Sequence, residues 1–196
     1  MKITTFEKNN IIQITNSLKT GKVVVLPTDT LYGMSCLATN KKSIDKIYNL
    51  KKRDKNKAFI ILISKLDDLK KFRVEVTNDQ KKILQNNWPA PLTVVFDTPG
   101  DKFNYLHNGK NSLGFRIADV PLLNQIINET GPIVSTTVNL SGLTPAKTIN
   151  EAYDIFGDNI DLYVDNEKME SNPSTVIKFT GGTLEIIRKG KADIKI

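Results

Sequence analysis

Four clusters of polar residues follow or interrupt apolar runs in this chain, and their side chains could bind anions or exchange hydrogen bonds with a ligand. Open α/β sheets bind ligands at the ends of their strands, so clusters in such places are candidates for one shared site. The four are PTDTLYG at residues 27–33, the basic run Lys51-Lys52-Arg53 with Lys57, Arg116 within LGFRI, and STTVNLSG at residues 135–142. Ser174 and Arg188 extend the pattern towards the C-terminus.

Each cluster also has an ordinary structural explanation, which for STTVNLSG is a turn capped by Thr and Asn side chains. Residues 27–33 could form an Asx-type turn with a glycine for backbone freedom, and a run of lysines usually lies in a solvated loop. Arg116 has strand residues on both sides, so it needs either an ion pair with Asp or Glu or a substrate carboxylate, because an unpaired buried charge is costly. The residues alone leave these alternatives open.

Arginine is scarce in this chain. Four of the 28 basic residues are arginines, at positions 53, 73, 116 and 188, which leaves 24 lysines. A guanidinium group presents a planar fork of donors that matches carboxylate and phosphate oxygens, so the arginines that remain suggest anion binding. The net charge of +7 would suit a nucleotide, an RNA or another phosphate ligand, although a lysine-rich composition produces such a charge without any function.

Composition excludes several kinds of site. With one cysteine, Cys36, the chain cannot form an internal disulfide or a multi-cysteine metal centre, and with one histidine, His107, it is a poor candidate for a histidine metal site. We expect His107 to be an exposed loop residue rather than a catalytic base. Neither G-x-x-x-x-G-K-[ST] nor G-x-G-x-x-G occurs after a predicted strand, so side chains would have to bind any nucleotide.

The sequence predicts a cytoplasmic protein rather than a membrane protein. Its longest apolar run, residues 58–63, is far shorter than the ~20 residues that cross a bilayer. The first ten residues, MKITTFEKNN, lack the continuous apolar segment of a secretory signal.

Apolar periodicity and turn residues predict alternating helices and strands. Helices are predicted at residues 11–20, from Ser43 to the basic run, and at residues 66–72, 78–87, 121–129 and 148–156. Strands are predicted at residues 3–6, 23–26, 58–63, 92–96, 113–117 and 132–137, with a terminal hairpin around Gly181-Gly182. This order predicts an α/β fold: a single domain over residues 1–196, with a twisted mixed β-sheet and flanking helices.

Six strings in this chain resemble the YrdC/TsaC family of threonylcarbamoyl-AMP synthases. They occur in the order that the family shows: PTDTLYGM, LKKRDKNKAFIIL, WPAPLTVVF, LGFRIADVPLL, STTVNLSGLTPAKT and NPSTVIKF. The resemblance covers about residues 10–190. It implies a YrdC-like fold in the short, single-domain form.

The resemblance also implies an activity and a set of site residues. The activity is synthesis of L-threonylcarbamoyladenylate from L-threonine, bicarbonate and ATP, with pyrophosphate released and the product passed to downstream threonylcarbamoyl-transferase proteins for tRNA modification. By the resemblance, L-threonine is bound by Thr30, Tyr32, Arg116, Thr137 and Ser174. ATP is bound by Arg53, Lys57, Ser112, Asn139, Lys147 and Arg188, and Lys51 and Arg53 form the catalytic K-x-R element. Mg²⁺ is expected with ATP, held by phosphates and water rather than by a protein cage.

The chain departs from the family pattern at several positions. The usual Ser-Ala-Asn reads Thr137-Val138-Asn139, which keeps a hydroxyl and an amide but adds bulk, and Ala90 and Asp54 replace the usual Gly and Pro. An alternative reading is a non-enzymatic RNA-binding module with the same fold, for which contact with tRNA or another RNA would be the function. A carbamoyl-transfer module of hydrogenase maturation is disfavoured because such proteins carry cysteine-rich zinc segments.

Overall fold

The computed structural model describes residues 2–54, 58–180 and 183–195. Within these ranges, ten strands form one sheet in the order β1-β8-β2-β3-β7-β4-β6-β5-β9-β10. The strands are β1 Ile3–Thr5, β2 Val24–Leu26, β3 Gly33–Leu37, β4 Ile60–Leu62, β5 Leu92–Asp97, β6 Ser112–Arg116, β7 Ile133–Thr137, β8 Leu162–Asp165, β9 Thr175–Thr180 and β10 Thr183–Arg188.

The sheet is mixed, as predicted. The parallel pairs are β1/β8, β2/β8, β4/β6 and β5/β9. The other neighbouring strands are antiparallel. The last two strands form the predicted terminal hairpin, whose glycine turn lies outside the described residues. The α/β class is therefore confirmed.

Helices connect the strands, and the third and sixth α-helices begin at the capping residues that the sequence predicts. Thr77 and Gln80 form a capping box before the third helix, and Thr148 caps the sixth. The second helix begins before Ser43, because the Asn40 side chain accepts a hydrogen bond from Ser43 N and caps it there. The α-helices are α1 Ile11–Lys19, α2 Lys41–Lys51, α3 Asn78–Asn87, α4 Asn104–His107, α5 Pro121–Thr130 and α6 Ile149–Phe156. Residues 66–72 form a 3₁₀ helix.

Apolar side chains pack on both faces of the sheet. Along β2, Val25 belongs to one core cluster, whereas Val24 and Leu26 belong to the other, as the alternation of a strand requires. The first cluster includes residues of α2, α3, α4 and α6, and the second includes residues of α1 and α5. Each fully buried Val, Leu or Ile side chain stabilises the fold by about 1.5–3 kcal/mol relative to its exposed state.

Three sequence-based predictions need correction or extension. Strands β3 and β8 were not predicted, because Gly33–Leu37 follows the turn-rich PTDTLYG segment and Leu162–Asp165 is short. His107 is not an exposed loop residue: it ends α4, is 1% exposed, and its Nε2 lies 3.3 Å from Gly100 O. It is a buried residue, and Asn111 N lies 3.4 Å from its Nδ1.

Within the described ranges, every helix is too short or too polar to cross a lipid bilayer.

Candidate active site

A cavity of about 400 Å³ lies over the face of the sheet that α1 and α5 cover only in part. Strands β5, β6 and β9 contribute to the first core cluster and not to the second, so this face of theirs is left without an apolar layer. Alternate residues of the strands line the cavity: Thr93 and Val95 of β5, Ser112, Gly114 and Arg116 of β6, and Ser135 and Thr137 of β7.

Two glycines make room for the cavity floor. A Cβ at Gly33 would lie 2.3 Å from Ser135 Oγ, and a Cβ at Gly114 would lie 3.0 Å from Thr93 Cγ2. Both glycines line the cavity, so a side chain at either position would press against a neighbouring strand. The missing side chains let the backbone itself form part of the wall.

The cavity brings together eight of the twelve predicted site residues. They are Thr30, Tyr32, Arg53, Ser112, Arg116, Thr137, Ser174 and Arg188. The other predicted residues do not line it: Lys51, Asn139 and Lys147 lie elsewhere among the described residues, and Lys57 lies outside them.

Arg116 is buried in the cavity wall beside a carboxylate. It is 5% exposed, and its Nη2 lies 3.0 Å from Asp29 Oδ1. Burial lowers the pKa of Arg116, the Asp29 charge opposes that shift, and Arg188 adds to it. Arg116 Nε has no hydrogen-bond partner among the described residues. The ion pair that the sequence left open is therefore present, yet the guanidinium keeps an unused donor.

A turn between β2 and β3 holds Thr30 beside this ion pair. Thr28 Oγ1 donates to Leu31 O at 2.7 Å and accepts from Thr30 N at 3.2 Å, which forms the side-chain turn that the sequence suggested. Because the Thr28 proton is used there, the Thr30 hydroxyl, 3.1 Å away, is the donor to Thr28 Oγ1. The Asp29 carboxylate accepts from Asp119 N at 3.1 Å, which fixes the turn to the loop after β6.

Ser174 and Arg188 line the same cavity and contact each other. Arg188 donates to Ser174 O from Nε at 3.2 Å and from Nη2 at 2.8 Å, and Ser174 Oγ lies 3.0 Å from Thr93 Oγ1. The chain then passes so close to Ser174 that a Cβ at Gly190 would lie 2.5 Å or less from the backbone of Pro173 and Ser174. We call the group Asp29, Thr30, Arg116, Ser174 and Arg188 the Arg116 wall.

The C-terminal residues also touch the turn that carries Asp29. Lys191 Nζ donates to Asp29 O at 3.1 Å, and Lys191 N donates to Pro173 O at 2.9 Å. The segment after β10 therefore links the turn that carries Asp29 to the residue that precedes Ser174.

Arg53 lies at another part of the cavity and packs on an aromatic ring. Its guanidinium carbon is 5.1 Å from the centroid of Phe59, its Nη2 donates to Ala58 O at 3.0 Å, and its Nη1 lies 3.5 Å from Thr136 Oγ1. Burial lowers the pKa of Arg53, but a guanidinium stays charged at physiological pH. Arg53 thus supplies a held positive charge to the cavity.

Lys51 lies behind the cavity rather than in its lining. It is 1% exposed at the end of α2, and its Nζ donates to Asn139 O at 2.7 Å, to Asn139 Oδ1 at 3.1 Å and, at shorter range, to Thr137 O. Thr137 Oγ1 donates to Asn139 Oδ1 at 2.6 Å. We call Lys51, Thr137 and Asn139 the Lys51 network. The catalytic role of Lys51 and the ATP contact of Asn139, which the resemblance implies, stay predictions.

Two further predicted residues use their polar groups within the chain. Tyr32 lines the cavity, but its hydroxyl lies 2.6 Å from Glu167 O and accepts from Asn166 N at 2.9 Å. Burial raises the pKa of this hydroxyl to about 12. Lys147 forms an ion pair with Glu170 away from the cavity lining. Contact of either group with a substrate stays a prediction.

Sequence reasoning assigned no role to several residues that line or support the cavity. Asp29 and Thr28 stand inside the PTDTLYG cluster, and Ser135 and Thr136 stand inside STTVNLSG, so their clusters were found but not their roles. The signal for Thr93 is the two-residue alternation of β5, which places it on the cavity face with Val95.

The chain matches one protein family and is similar to known proteins. The Sua5/YciO/YrdC family model, described as telomere recombination, matches residues 16–190. Threonylcarbamoyl-AMP synthase of Photobacterium profundum is 28% identical over 162 residues, which cover 81% of this chain and 88% of that protein. Threonylcarbamoyl-AMP synthase of Photorhabdus laumondii is 30% identical over 180 residues, which cover 90% of this chain and 94% of that protein.

A solved structure shares the fold. The crystal structure of P. abyssi Sua5 complexed with L-threonine superposes with a TM-score of 0.86 at 22% identity over 96% of this chain. This chain spans 56% of the length of that protein. The ten-stranded mixed sheet is thus the fold that the sequence motifs implied. Because the family model matches most of its length, the chain belongs to the Sua5/YciO/YrdC family.

Proposed function

We propose that this protein is a threonylcarbamoyl-AMP synthase, which converts L-threonine, bicarbonate and ATP into L-threonylcarbamoyladenylate and pyrophosphate. The observation that carries the proposal is Arg116, a buried residue of the cavity lining whose Nε–H has no hydrogen-bond partner among the described residues. A buried donor is costly to leave unpaired, so such a group suits a ligand that supplies the missing acceptor. The α-carboxylate of an amino acid is that kind of ligand.

The Arg116 wall offers the complement of an amino acid. Arg116 supplies donors for the carboxylate, and it shares its charge with Asp29, which lies directly beside it. The Thr30 hydroxyl gives its proton to Thr28 Oγ1, so its oxygen has lone pairs left to accept a hydrogen bond from a ligand. Donors for a carboxylate and acceptors for an amine thus line the same cavity.

Positive charge at Arg53 suits the nucleotide. Arg53, Ser112 and Arg188 line the same cavity as Arg116, and we assign the phosphates of ATP to this group. A guanidinium fork matches phosphate oxygens. Because the Arg53 guanidinium is held on the Phe59 ring, it needs little reorganisation when negative charge develops on the phosphates during the reaction. Lys57, which the family pattern also assigns to ATP, lies outside the described residues.

The reaction needs no general base in its second step. In the first step the threonine amine forms a C–N bond with bicarbonate carbon and water leaves, which yields a carbamate. A carbamate oxygen, already anionic, then attacks the α-phosphorus, and the P–O bond to pyrophosphate breaks. The residues of the cavity would act by aligning the two substrates and by offsetting charge near phosphorus.

Magnesium enters this proposal as part of the nucleotide substrate. Among the described residues, no group of three His, Cys, Asp or Glu could hold a metal ion, and the cavity lining includes no carboxylate. Mg²⁺ bound with ATP keeps much of its shell as water and phosphate oxygen, so a lining of cations and hydroxyls is compatible with it. We therefore assign no protein ligands to the metal.

The remaining roles follow from the proposed product. The protein would act in the cytoplasm and hand threonylcarbamoyl-AMP to a transferase that modifies tRNA. Direct contact with tRNA or another RNA is the alternative function for this fold. It is disfavoured because the conspicuous polar feature is a cavity of about 400 Å³ with a buried arginine, which suits small molecules better than a phosphate backbone.

The test is pyrophosphate release from ATP, measured with and without L-threonine and with and without bicarbonate, and with mass spectrometry of the product. We expect release to depend on both co-substrates and the adenylate of carbamoylated threonine to be detected. Pyrophosphate release from ATP at a rate that does not depend on L-threonine would contradict the proposal. Steeply salt-dependent RNA binding with no turnover would favour the alternative function.

A further inference from the structure

We propose that Lys51 is a positioning residue which, through Asn139, makes the Thr137 hydroxyl a hydrogen-bond acceptor towards the amino-acid substrate. This inference rests on the proposed function. It assigns Lys51 a role through other residues, since Lys51 does not line the cavity whereas Thr137 does.

The Lys51 ammonium is fully used inside the chain. It carries three N–H donors, and three oxygens lie at hydrogen-bonding distance: Thr137 O, Asn139 O and Asn139 Oδ1. The Lys51 carbonyl also accepts from Ser141 N at 2.9 Å. Both ends of this residue therefore hold the loop that follows β7.

The ammonium fixes the orientation of the Asn139 amide. Asn139 Oδ1 faces Lys51 Nζ, while Asn139 Nδ2 donates to Leu140 O at 2.8 Å and to Leu143 O at 2.7 Å. A flipped amide would place its NH₂ group against the Lys51 ammonium and its oxygen against two carbonyl oxygens. Each of those contacts is repulsive, so the observed orientation is the stable one.

The amide orientation in turn fixes the proton of Thr137. Thr137 Oγ1 lies 2.6 Å from Asn139 Oδ1, and an amide oxygen only accepts hydrogen bonds. The Thr137 proton is therefore directed at Asn139, and its hydroxyl oxygen has lone pairs alone to offer the cavity. A substrate group at Thr137 must then be a donor, either the N–H or the O–H of L-threonine, and not its carboxylate.

Substrate analogues that lack one donor test this polarity. Binding of L-threonine, N-methyl-L-threonine and L-2-aminobutyrate is measured by calorimetry with wild type, Thr137→Val, Thr137→Ser and Lys51→Met. N-methyl-L-threonine removes an N–H and L-2-aminobutyrate removes the O–H. We expect wild type and Thr137→Ser to bind one analogue more weakly than L-threonine by about tenfold, the value of one lost hydrogen bond.

The variants without the hydroxyl or without the ammonium should lose that preference. For Thr137→Val and Lys51→Met, we expect the affinity for L-threonine and the affinity for that analogue to differ by less than about threefold. Lys42→Met is the matched control, because Lys42 is an exposed residue of the same helix, and its ratio should equal that of wild type. If Lys51→Met does not fold, Asn139→Ala takes its place, since it removes the oxygen that receives the Thr137 proton.

The outcomes separate this inference from the proposed function. If wild type binds L-threonine but Lys51→Met keeps the wild-type ratio and loses affinity for ATP instead, Lys51 acts on the nucleotide and the inference is wrong. If Thr137→Val keeps the ratio, or if wild type binds both analogues as well as L-threonine, the acceptor role of Thr137 is wrong. If wild type does not bind L-threonine at all, the proposed function fails first.

Discussion

The two sides of the cavity use polar groups in opposite ways. In the Arg116 wall, the buried guanidinium lies against Asp29 but keeps an Nε donor without a partner among the described residues. In the Lys51 network, the three donors of the ammonium meet three oxygens, and both Asn139 amide groups have partners. An unpaired buried donor lowers stability, and a ligand that supplies an acceptor would relieve that cost, whereas a satisfied network stabilises a geometry.

This difference separates side chains that bind the ligand directly from side chains that hold other side chains in place. A change in the Arg116 wall should act mainly on the affinity for a ligand. In the Lys51 network, a change at Lys51 or Asn139 should act on the ligand only through Thr137, which lines the cavity, and it should also lower stability. The family motif includes residues from both sides, so sequence similarity by itself does not distinguish the two roles.

The largest effect is expected from Arg116→Lys. This variant keeps the positive charge beside Asp29, so the ion pair survives, but it removes the guanidinium fork. We expect the KM for L-threonine to rise between about 100- and 1000-fold, with a much smaller change in the KM for ATP. Steady-state pyrophosphate release at varied threonine and ATP measures both constants.

Arg73→Lys is the matched control for Arg116→Lys, because Arg73 is exposed and does not line the cavity. Its kinetic constants should equal those of wild type. Equal increases in both KM values for Arg116→Lys would contradict the assignment of Arg116 to the amino acid.

Arg53→Ala should have the next largest effect, and on the other substrate. Loss of a held charge near the transferring phosphorus costs on the order of 100-fold in rate. The KM for ATP should rise, while calorimetric affinity for L-threonine should stay within about twofold of wild type. Turnover like that of wild type in Arg53→Ala would remove Arg53 from the nucleotide site.

The fold was predictable where local signals agree with the final structure. The capping pairs at Thr77 and Thr148 and the helix-spaced apolar residues of α1 identified helices that the structure confirms. Strand β3 was missed because its stability comes from pairing with β2 and β7, and its own sequence, GMSCL, has weak strand propensity. Long-range pairing of this kind leaves no local signal.

The sequence predicted which polar clusters contribute to the candidate site, but not the role of each residue in it. Residue types located Arg116 and Thr137, and the structure brings both into one cavity. The Asp29 contact of Arg116 and the position of Lys51 behind the cavity depend on residues far apart in the chain. The sequence of the basic run Lys51-Lys52-Arg53 does not show that Lys51 and Arg53 have different surroundings. Lys51 is buried by the loop after β7, whereas Arg53 is in the cavity lining.

Gly190→Ala tests whether the C-terminal segment supports the Arg116 wall. A Cβ there would meet the backbone of Pro173 and Ser174 at 2.5 Å or less, so the segment or Ser174 must move. We expect a loss of about 1–3 kcal/mol in the free energy of unfolding, as for overpacked sites, and a severalfold rise in the KM for L-threonine. Urea denaturation and steady-state kinetics measure the two effects.

Lys189→Ala is the control for Gly190→Ala, since Lys189 is exposed and adjacent in the chain. It should change neither quantity. A Gly190→Ala protein with the stability and KM of wild type would show that the segment does not hold the Arg116 wall.

The last prediction concerns the Lys51 network and the pH dependence of stability. Burial, with a further contribution from the positive charge of Arg53, lowers the pKa of Lys51 from 10.5 to about 7. Between these two values the unfolded chain binds more protons at this group than the folded chain does. The contribution of Lys51 to the free energy of unfolding therefore rises with pH between about 7 and 10.5, and below pH 7 it is at its least favourable.

Lys51→Met removes this group in both states, so it should remove the corresponding slope. Urea denaturation of wild type and Lys51→Met at pH 6.5, 8.0 and 9.5 gives the difference in slope, which should approach but not exceed about 1.4 kcal/mol per pH unit. The three oxygen acceptors of the ammonium oppose the effect of burial, because they favour the protonated form, and they reduce the slope below that limit. Equal slopes for the two proteins would mean that these acceptors cancel the cost of burial, so that the Lys51 network holds a charged ammonium throughout this pH range.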